Sequence, residues 1–425
     1  MLLILLIAIV SVIYFASMQG ITCCNSGSSF ALVKSLAKKS LTINEFAGYA
    51  KNMDYAKING KIYTDRPPGL AFISLPVYLL KLNVTLVPAI AGIISVVLVY
   101  LLTFHLVGSS VIAFFTGFIF AFCTLNWRYS TIYLSHTTST MLILLSVYGL
   151  VSGWHPFFIA LLLGISTTFE YTNFSFLIGI IISQIIFGNY LAIPFLFAGY
   201  LVGVIPLLVY NKKCFGSPFT TSYKYSAYFK WSNSPKTTFV TPIFKGIFGL
   251  LFFIPKKKRI GMPGGVLTLS PVLIFGIIGY FFLPVYYLVL FLLLVLPNFL
   301  IISKHKTWWG GGASDYRYIS SIIPYLTIPM GLSIKYLPFL IPTIIFLSIV
   351  SSMLIISRLI ILTLSPDDLK KIHPLILVKV KKRKIGLLEL IKPAYAFRLT
   401  SLVFEGLFIR KIHLENKPVS SKKDY

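Results

Sequence analysis

Val285 to Leu296, VYYLVLFLLLVL, runs without a charged side chain, and Leu142 to Val151 is of the same kind. A helix on the surface of a soluble protein needs a polar face at helical spacing, whereas these segments are apolar nearly all round. They must therefore face lipid or fill a very large core. Their abundance decides for lipid. Hydrophobic residues make up 57% of the 425 and the mean hydropathy is +0.86, with room for many spans at roughly 20 residues each. The expected fold is all-α: a polytopic transmembrane helical protein with about eleven spans.

The spans read as Met1–Ser17, Val84–Leu106, Ser110–Leu125, Ser135–Gly153, Phe157–Phe169, Phe174–Phe187, Tyr190–Tyr210, Val266–Leu283, Val285–Ile302, Ile319–Ile334 and Leu337–Ile360. Met1–Ser17 lacks the basic start of a signal peptide and reads as an uncleaved first span. The fifth and sixth are short, so they are expected to meet at a re-entrant-like kink. This organisation predicts a transmembrane domain over 1–360, with a long first loop at 18–83 and a second large loop at 211–263. A basic tail or small peripheral domain follows at 361–425. Connections after the odd spans carry nearly all the polar chemistry, and those after the even spans are tight and almost uncharged. One face of the membrane holds the function.

The formal charge is +27, from 38 basic and 11 acidic residues. Such a balance favours anionic partners, and its position beside spans points to lipid phosphates and headgroups. Nucleic acid is excluded as the partner, because no RNP, zinc-finger or helix-turn-helix pattern accompanies the charge. Ten Lys/Arg between Asn211 and Arg259 and fourteen from Lys370 to Lys423 would make the polar face cytoplasmic by the positive-inside rule. Cys23, Cys24, Cys123 and Cys214 show no CxxC spacing. They read as small buried hydrophobes or, on an oxidising face, as a pairing of Cys214 with Cys23 or Cys24.

Chemistry collects in Asp54 to Tyr78, DYAKINGKIYTDRPPGLAFISLPVY. Pro67 and Pro68 fix φ and withhold N–H donors, so Asp65 and Arg66 stand on a stiff corner. The apolar run after Gly69 is too short to span and reads as an interfacial helix, which puts the corner at headgroup depth. There the Arg66 guanidinium suits a phosphate. Asp54 and Asp65 flank a turn at Asn59-Gly60; a hairpin closed by that turn would bring the two carboxylates together as bases or metal ligands. They read equally as loop acids paired with neighbouring cations.

Asp54-Tyr55, Gly60-Lys61-Ile62-Tyr63 and Asp65-Arg66-Pro67-Pro68-Gly69, following one span and a long loop, resemble the GT-C class of membrane glycosyltransferases. The likeness is to the protein O-mannosyltransferase and aminoarabinose-transferase-like group, family 39-type. The resemblance implies extracytoplasmic functional loops in the cell membrane, opposite to the charge rule; basic residues beside a lipid phosphate reconcile the two. Tyr210-Asn211, Cys214-Phe215-Gly216-Ser217-Pro218-Phe219 and Tyr223 are similar to a loop segment of this group. Trp308-Trp309-Gly310-Gly311-Gly312-Ala313-Ser314-Asp315-Tyr316-Arg317-Tyr318 is similar to its Trp-Trp-Gly-Gly segment. Here Trp308, Trp309, Asp315 and Tyr316 would bound a sugar, the other interpretation being an aromatic belt.

Glu170, in FEYTNF between the two short spans, resembles the charged position these proteins place facing the lipid-phosphate cavity. An ionisable group at that depth is costly without a role. His136 begins the fourth span on the same face as Arg128 and reads as a pocket residue or a hydrogen-bonded core histidine. One departure matters: relatives carry an acid early in the first loop, where this chain has Ser26 in Asn25-Ser26-Gly27. A hydroxyl cannot replace a carboxylate base.

The reading is a GT-C-like glycosyltransferase that moves a sugar from a polyprenyl-phosphate donor to a protein, lipid or glycan acceptor. Asp54 or Asp65 is its base, Arg66, Arg317, Lys212 and Lys213 hold the lipid phosphate, and a divalent metal is admissible. The alternatives are an inactive lipid-phosphate binding protein, which Ser26 favours, and a transporter or flippase. The latter would show buried charges within spans or an inverted repeat.

Overall fold

Helices α1 (Leu2–Ala16), α4 (Leu86–Val107), α5 (Ser110–Phe122) and α7 (His136–Val151) form from the apolar runs that open the chain. Between α1 and α4 the first loop folds into α2 (Cys24–Ala37), strands β1 (Tyr55–Ile58) and β2 (Lys61–Thr64), and α3 (Gly69–Leu79). A short α6 (Asn126–Thr131) precedes α7; α8 (Pro156–Thr167), α9 (Phe174–Ile186) and α10 (Ala192–Phe215) follow it. The second loop contributes α11 (Pro235–Thr238) and α12 (Ile243–Phe252). After it come α13 (Val266–Leu269), α14 (Ile274–Gly279), α15 (Val285–Lys304), α16 (Ile323–Thr327), α17 (Met330–Tyr336) and α18 (Ile341–Ile361). This computed structural model describes residues 1–51, 53–252, 264–313 and 315–361. The expected basic tail, and Lys256 to Arg259 of the second loop, lie outside the described residues.

Among the described residues four stretches are long and apolar enough to cross a membrane: α4, α10, α15 and Pro338–Ile356. Eight shorter apolar helices accompany them. Two expected spans are not single helices. Val266–Leu283 breaks at Pro271 into α13 and α14, and Ile319–Ile334 breaks into α16 and α17 at Pro329. Proline removes a helix donor and clashes with the preceding turn. The two broken stretches pack on each other: a Cβ on Gly276 would stand 2.7 Å from the Leu326 carbonyl carbon.

α8 and α10 pack closely through small residues. Gly199 and Gly203 lie four apart on α10, and a Cβ on Gly199 would come 2.8 Å from the Phe157 carbonyl carbon, one on Gly203 2.9 Å from Gly164 Cα. Close backbone approach of this kind drives helix association where lipid supplies no hydrophobic force. Buried polar groups are paired across helices: Tyr14 Oη donates to the Ala121 carbonyl at 2.9 Å and accepts from Asn126 Nδ2 at 2.9 Å. This joins α1, α5 and α6 at no net cost of buried polarity.

Among the described residues the one sheet in an otherwise helical fold is the hairpin. Asn59 and Gly60, at φ +49° and +75°, form its two-residue turn, and Tyr55 pairs with Thr64 and Ile58 with Lys61. Positive φ at both turn positions is what an Asn-Gly hairpin requires. The hairpin and first loop pack on the C-terminal end of α10 in a second, smaller core that includes Ala56, Tyr63, Leu70, Tyr210 and Phe215. All four cysteines are free thiols, so the Cys214 pairing does not form.

Candidate active site

Because Tyr55 faces Thr64 across the hairpin, the residues just outside the ladder, Asp54 and Asp65, meet at its open end. Arg66 lies between them, its guanidinium paired with Asp54 Oδ1 and its Nε 3.2 Å from Asp65 Oδ1. Both carboxylates are buried and Arg66 is 18% exposed. Burial opposes the charged guanidinium, but Asp54 and then Asp65 outweigh it and hold its pKa above the usual range. Burial likewise pushes the Asp65 carboxyl up to about 7, with Arg66 pulling against the rise and Asp54 adding to it. Ser28 and Thr64 share a 2.7 Å hydrogen bond that ties the hairpin to α2.

Ser26 does not face this cluster. Its hydroxyl accepts from the Thr22 and Cys23 amides at 3.1 and 3.0 Å and donates to the Cys23 carbonyl at 2.8 Å, capping α2. Cys24, the first residue of that helix, stands beside Asp54. Burial pushes its thiol up to about 12, and the Asp54 carboxylate adds to the rise.

Gly69 joins the corner to the α8–α9 kink by donating its N–H to the Thr168 carbonyl at 2.8 Å. At that kink Glu170 Oε1 accepts from Ser135 Oγ at 2.5 Å and lies 3.2 Å from His136 Nδ1. Burial would raise the Glu170 pKa, but His136, Ser135 and Arg66 together lower it. The His136 ring meets Tyr129 edge-on at 5.2 Å and Tyr318 at 6.3 Å. Tyr318 is the hub of the far side: Arg317 lies over it at 5.1 Å and His305 packs edge-on at 5.5 Å. Burial, with Arg66 nearby, pulls the His305 pKa down to about 4.

Of the remaining expected residues, Asp315 is fully buried and accepts from Tyr129 Oη at 2.6 Å and from the Arg317 amide at 3.1 Å. Gly310, at φ +74°, lets the chain pass the Asp315 carbonyl, which a Cβ would approach to 2.7 Å. Tyr316 points into the core, its hydroxyl 2.7 Å from Ser270 Oγ and accepting from the Leu125 amide at 3.1 Å. Trp308 is buried against Gly249, with Trp309 edge-on at 5.4 Å. Lys212 and Lys213 are exposed at the end of α10, outside the ion pairs of the cluster.

The structure thus brings Asp54, Asp65, Arg66, His136, Glu170, Asp315 and Arg317 to one end of the bundle. Sequence reasoning missed Cys24 and His305 as neighbours of the site, and placed Tyr318 only within the Trp308–Tyr318 segment. It read Tyr223 as loop architecture, although the Arg66 guanidinium lies 6.0 Å over that ring. Four separate connections supply these residues, and no local spacing links them. Among the described residues no three of His, Cys, Asp and Glu converge as metal ligands; the acids pair with Arg66 and His136 instead.

A bundle of apolar helices closed at one end by a buried charged cluster defines a multi-pass membrane protein. The chain is similar to the crystal structure of ArnT from Cupriavidus metallidurans bound to undecaprenyl phosphate, at a TM-score of 0.52 and 12% identity, covering 95% of this chain and 76% of that one. The apo state of the same protein aligns at a TM-score of 0.47 and 13% identity, with the same coverage. The sequence matches no protein-family model and no curated protein sequence.

Proposed function

We propose that the protein is a glycosyltransferase of the cell membrane that takes a sugar from a polyprenyl-phosphate donor, its functional loops on the extracytoplasmic side. The observation that carries this reading is the Asp54–Arg66–Asp65 cluster facing His136, Glu170 and Arg317 at one end of a GT-C-like bundle. Arg66 and Arg317 hold the lipid phosphate. Glycosyl transfer passes through an oxocarbenium-like state, so the departing phosphate needs preorganised positive charge and the acceptor hydroxyl needs a base.

Asp54 or Asp65 is that base. Asp54 stands at the N-terminal end of α2, which supports it as the acid that Ser26 does not supply. Asp65 draws support from a proton affinity poised near neutrality. Lys212 and Lys213 meet headgroups at the rim, and Trp309 and Tyr318 bound the sugar. The acceptor is a hydroxyl of a protein, lipid or glycan, and the same base serves all three.

The test is sugar release from a radiolabelled polyprenyl-phosphate hexose by the purified protein. Wild type should turn over, and Asp54→Asn or Asp65→Asn should lose about 10²–10⁴-fold, the usual worth of a general base. Wild-type protein that binds the lipid yet releases no sugar from any of several donors would replace the transferase with a lipid-phosphate binding protein.

A further inference from the structure

At this end of the bundle Arg317 Nε and His136 Nε2 are buried without a hydrogen-bond partner. A buried donor without an acceptor is rare and points to a ligand that completes it. His136 is 95% enclosed, and its other nitrogen is fixed. With Glu170 Oε1 at 3.2 Å, Nδ1 carries a proton, so Nε2 becomes a donor only when the ring is an imidazolium.

Charge in the cluster makes that second proton consequential. Asp54, Glu170 and Asp315, joined by Asp65 as it ionises towards about pH 7, stand among the guanidinium groups of Arg66, Arg128 and Arg317. A charged His136 adds one positive charge to this end of the bundle and so favours an arriving anion. The groups that face His136 are Glu170 from the kink, Tyr129 from α6, over whose ring Arg128 lies, and Tyr318 from the turn before α16, over whose ring Arg317 lies. Arg66 acts through Glu170, Asp315 through Tyr129, and His305 sits on the far side of Tyr318.

We propose that His136, held by Glu170, is a third arm of the phosphate site beside Arg66 and Arg317, and that it grips the lipid phosphate only in its protonated form. Donor binding is then coupled to proton uptake. This rests on the polyprenyl-phosphate reading above and adds the residue and the switch to it. One N–H bond forms at Nε2 with a proton given up by solvent hydronium, which becomes water as the anion arrives; no other bond is made or broken.

The probe is the methyl diester of a polyprenyl phosphate, whose single charge does not change between about pH 5 and 8, the range in which histidines titrate. Binding is measured on the full chain in detergent micelles. Asp65 also titrates here, so the comparison is made in Asp65→Asn protein. Affinity there should fall as pH rises, by up to ~10-fold per unit when one proton is linked. Adding His136→Gln should flatten the profile and weaken binding at about pH 6 by roughly tenfold or more, the worth of one charge-assisted hydrogen bond.

Adding His136→Lys, which keeps a charge throughout, should restore affinity without restoring the slope. A slope that survives His136→Gln overturns the proposal. So does Glu170→Gln in the wild-type background with affinity unchanged at about pH 6, a measurement that needs no Asp65 variant. Wild-type protein that binds the diester at no pH overturns the donor reading, and the switch with it.

Discussion

Gly69→Ala tests whether the corner and the kink work as one site. A Cβ at position 69 would stand 2.7 Å from the Thr168 carbonyl oxygen and 2.8 Å from its carbon, roughly 0.7 Å inside ordinary van der Waals contact. It would also strike Thr168 Oγ1, which cannot swing aside freely because it donates to the Ile165 carbonyl at 2.7 Å. The backbone must therefore move. Overpacking of this kind costs about 1–3 kcal/mol, and weakening the Gly69 N–H bond to Thr168 about 1 kcal/mol more. Alanine recovers up to ~1 kcal/mol as the better helix former, leaving a net loss of about 1–3 kcal/mol.

The functional loss should be larger than the loss of stability. A shift of about 1 Å separates Arg66 from Glu170 and His136, and misplacement on that scale costs on the order of 10²-fold in rate. The assay pairs thermal unfolding in detergent with sugar release. Gly48→Ala is the control, since a Cβ there meets nothing within 4 Å. Gly69→Ala should melt a few degrees below Gly48→Ala and lose most transfer. Equal melting and wild-type transfer would refute the claim that this contact positions the two halves of the site.

Two further outcomes follow from the electrostatics of the cluster. Asp65 is pushed up from 3.8 to about 7 in the folded protein, so its protonation favours the fold. That contribution is complete below about pH 4 and lost by about pH 7 as the folded carboxyl ionises. Unfolding midpoints should therefore drift down between pH 5 and 7 and flatten in Asp65→Asn; an unchanged drift in the variant removes Asp65 as its source. Cys24, pushed up to about 12 by burial and Asp54, should alkylate slowly with iodoacetamide near neutral pH. Asp54→Asn should speed that labelling several-fold, measured by mass spectrometry, and equal rates would argue against the contact.

Much of this protein was legible before folding, because the bilayer restricts what an apolar segment can do. A run such as Val285–Leu296 must become a helix, and Asn59-Gly60 between alternating residues can hardly be anything but a hairpin turn. The Pro-Pro corner, too, announces itself, since proline constrains the chain through its own ring. These are local effects, carried by a residue and its immediate neighbours.

What the sequence could not determine was which distant groups meet. Two apolar stretches that read as spans are broken helices, since proline's effect depends on whether a neighbouring segment lies close enough to hold the broken ends, as Leu326 does against Gly276. Ser26 stands where an acid was expected; only packing shows that its hydroxyl caps α2 and that Asp54 lies beside Cys24 of the same helix. Glu170 and His136 are 34 residues apart and separated by two helices, and their 3.2 Å contact exists because α7 and α8 fold back to the same end of the bundle. A charge in the chain is a local property. Its partner, and therefore its chemistry, is decided by tertiary structure, because Coulomb forces and hydrogen bonds depend on distance in space and not on separation along the chain.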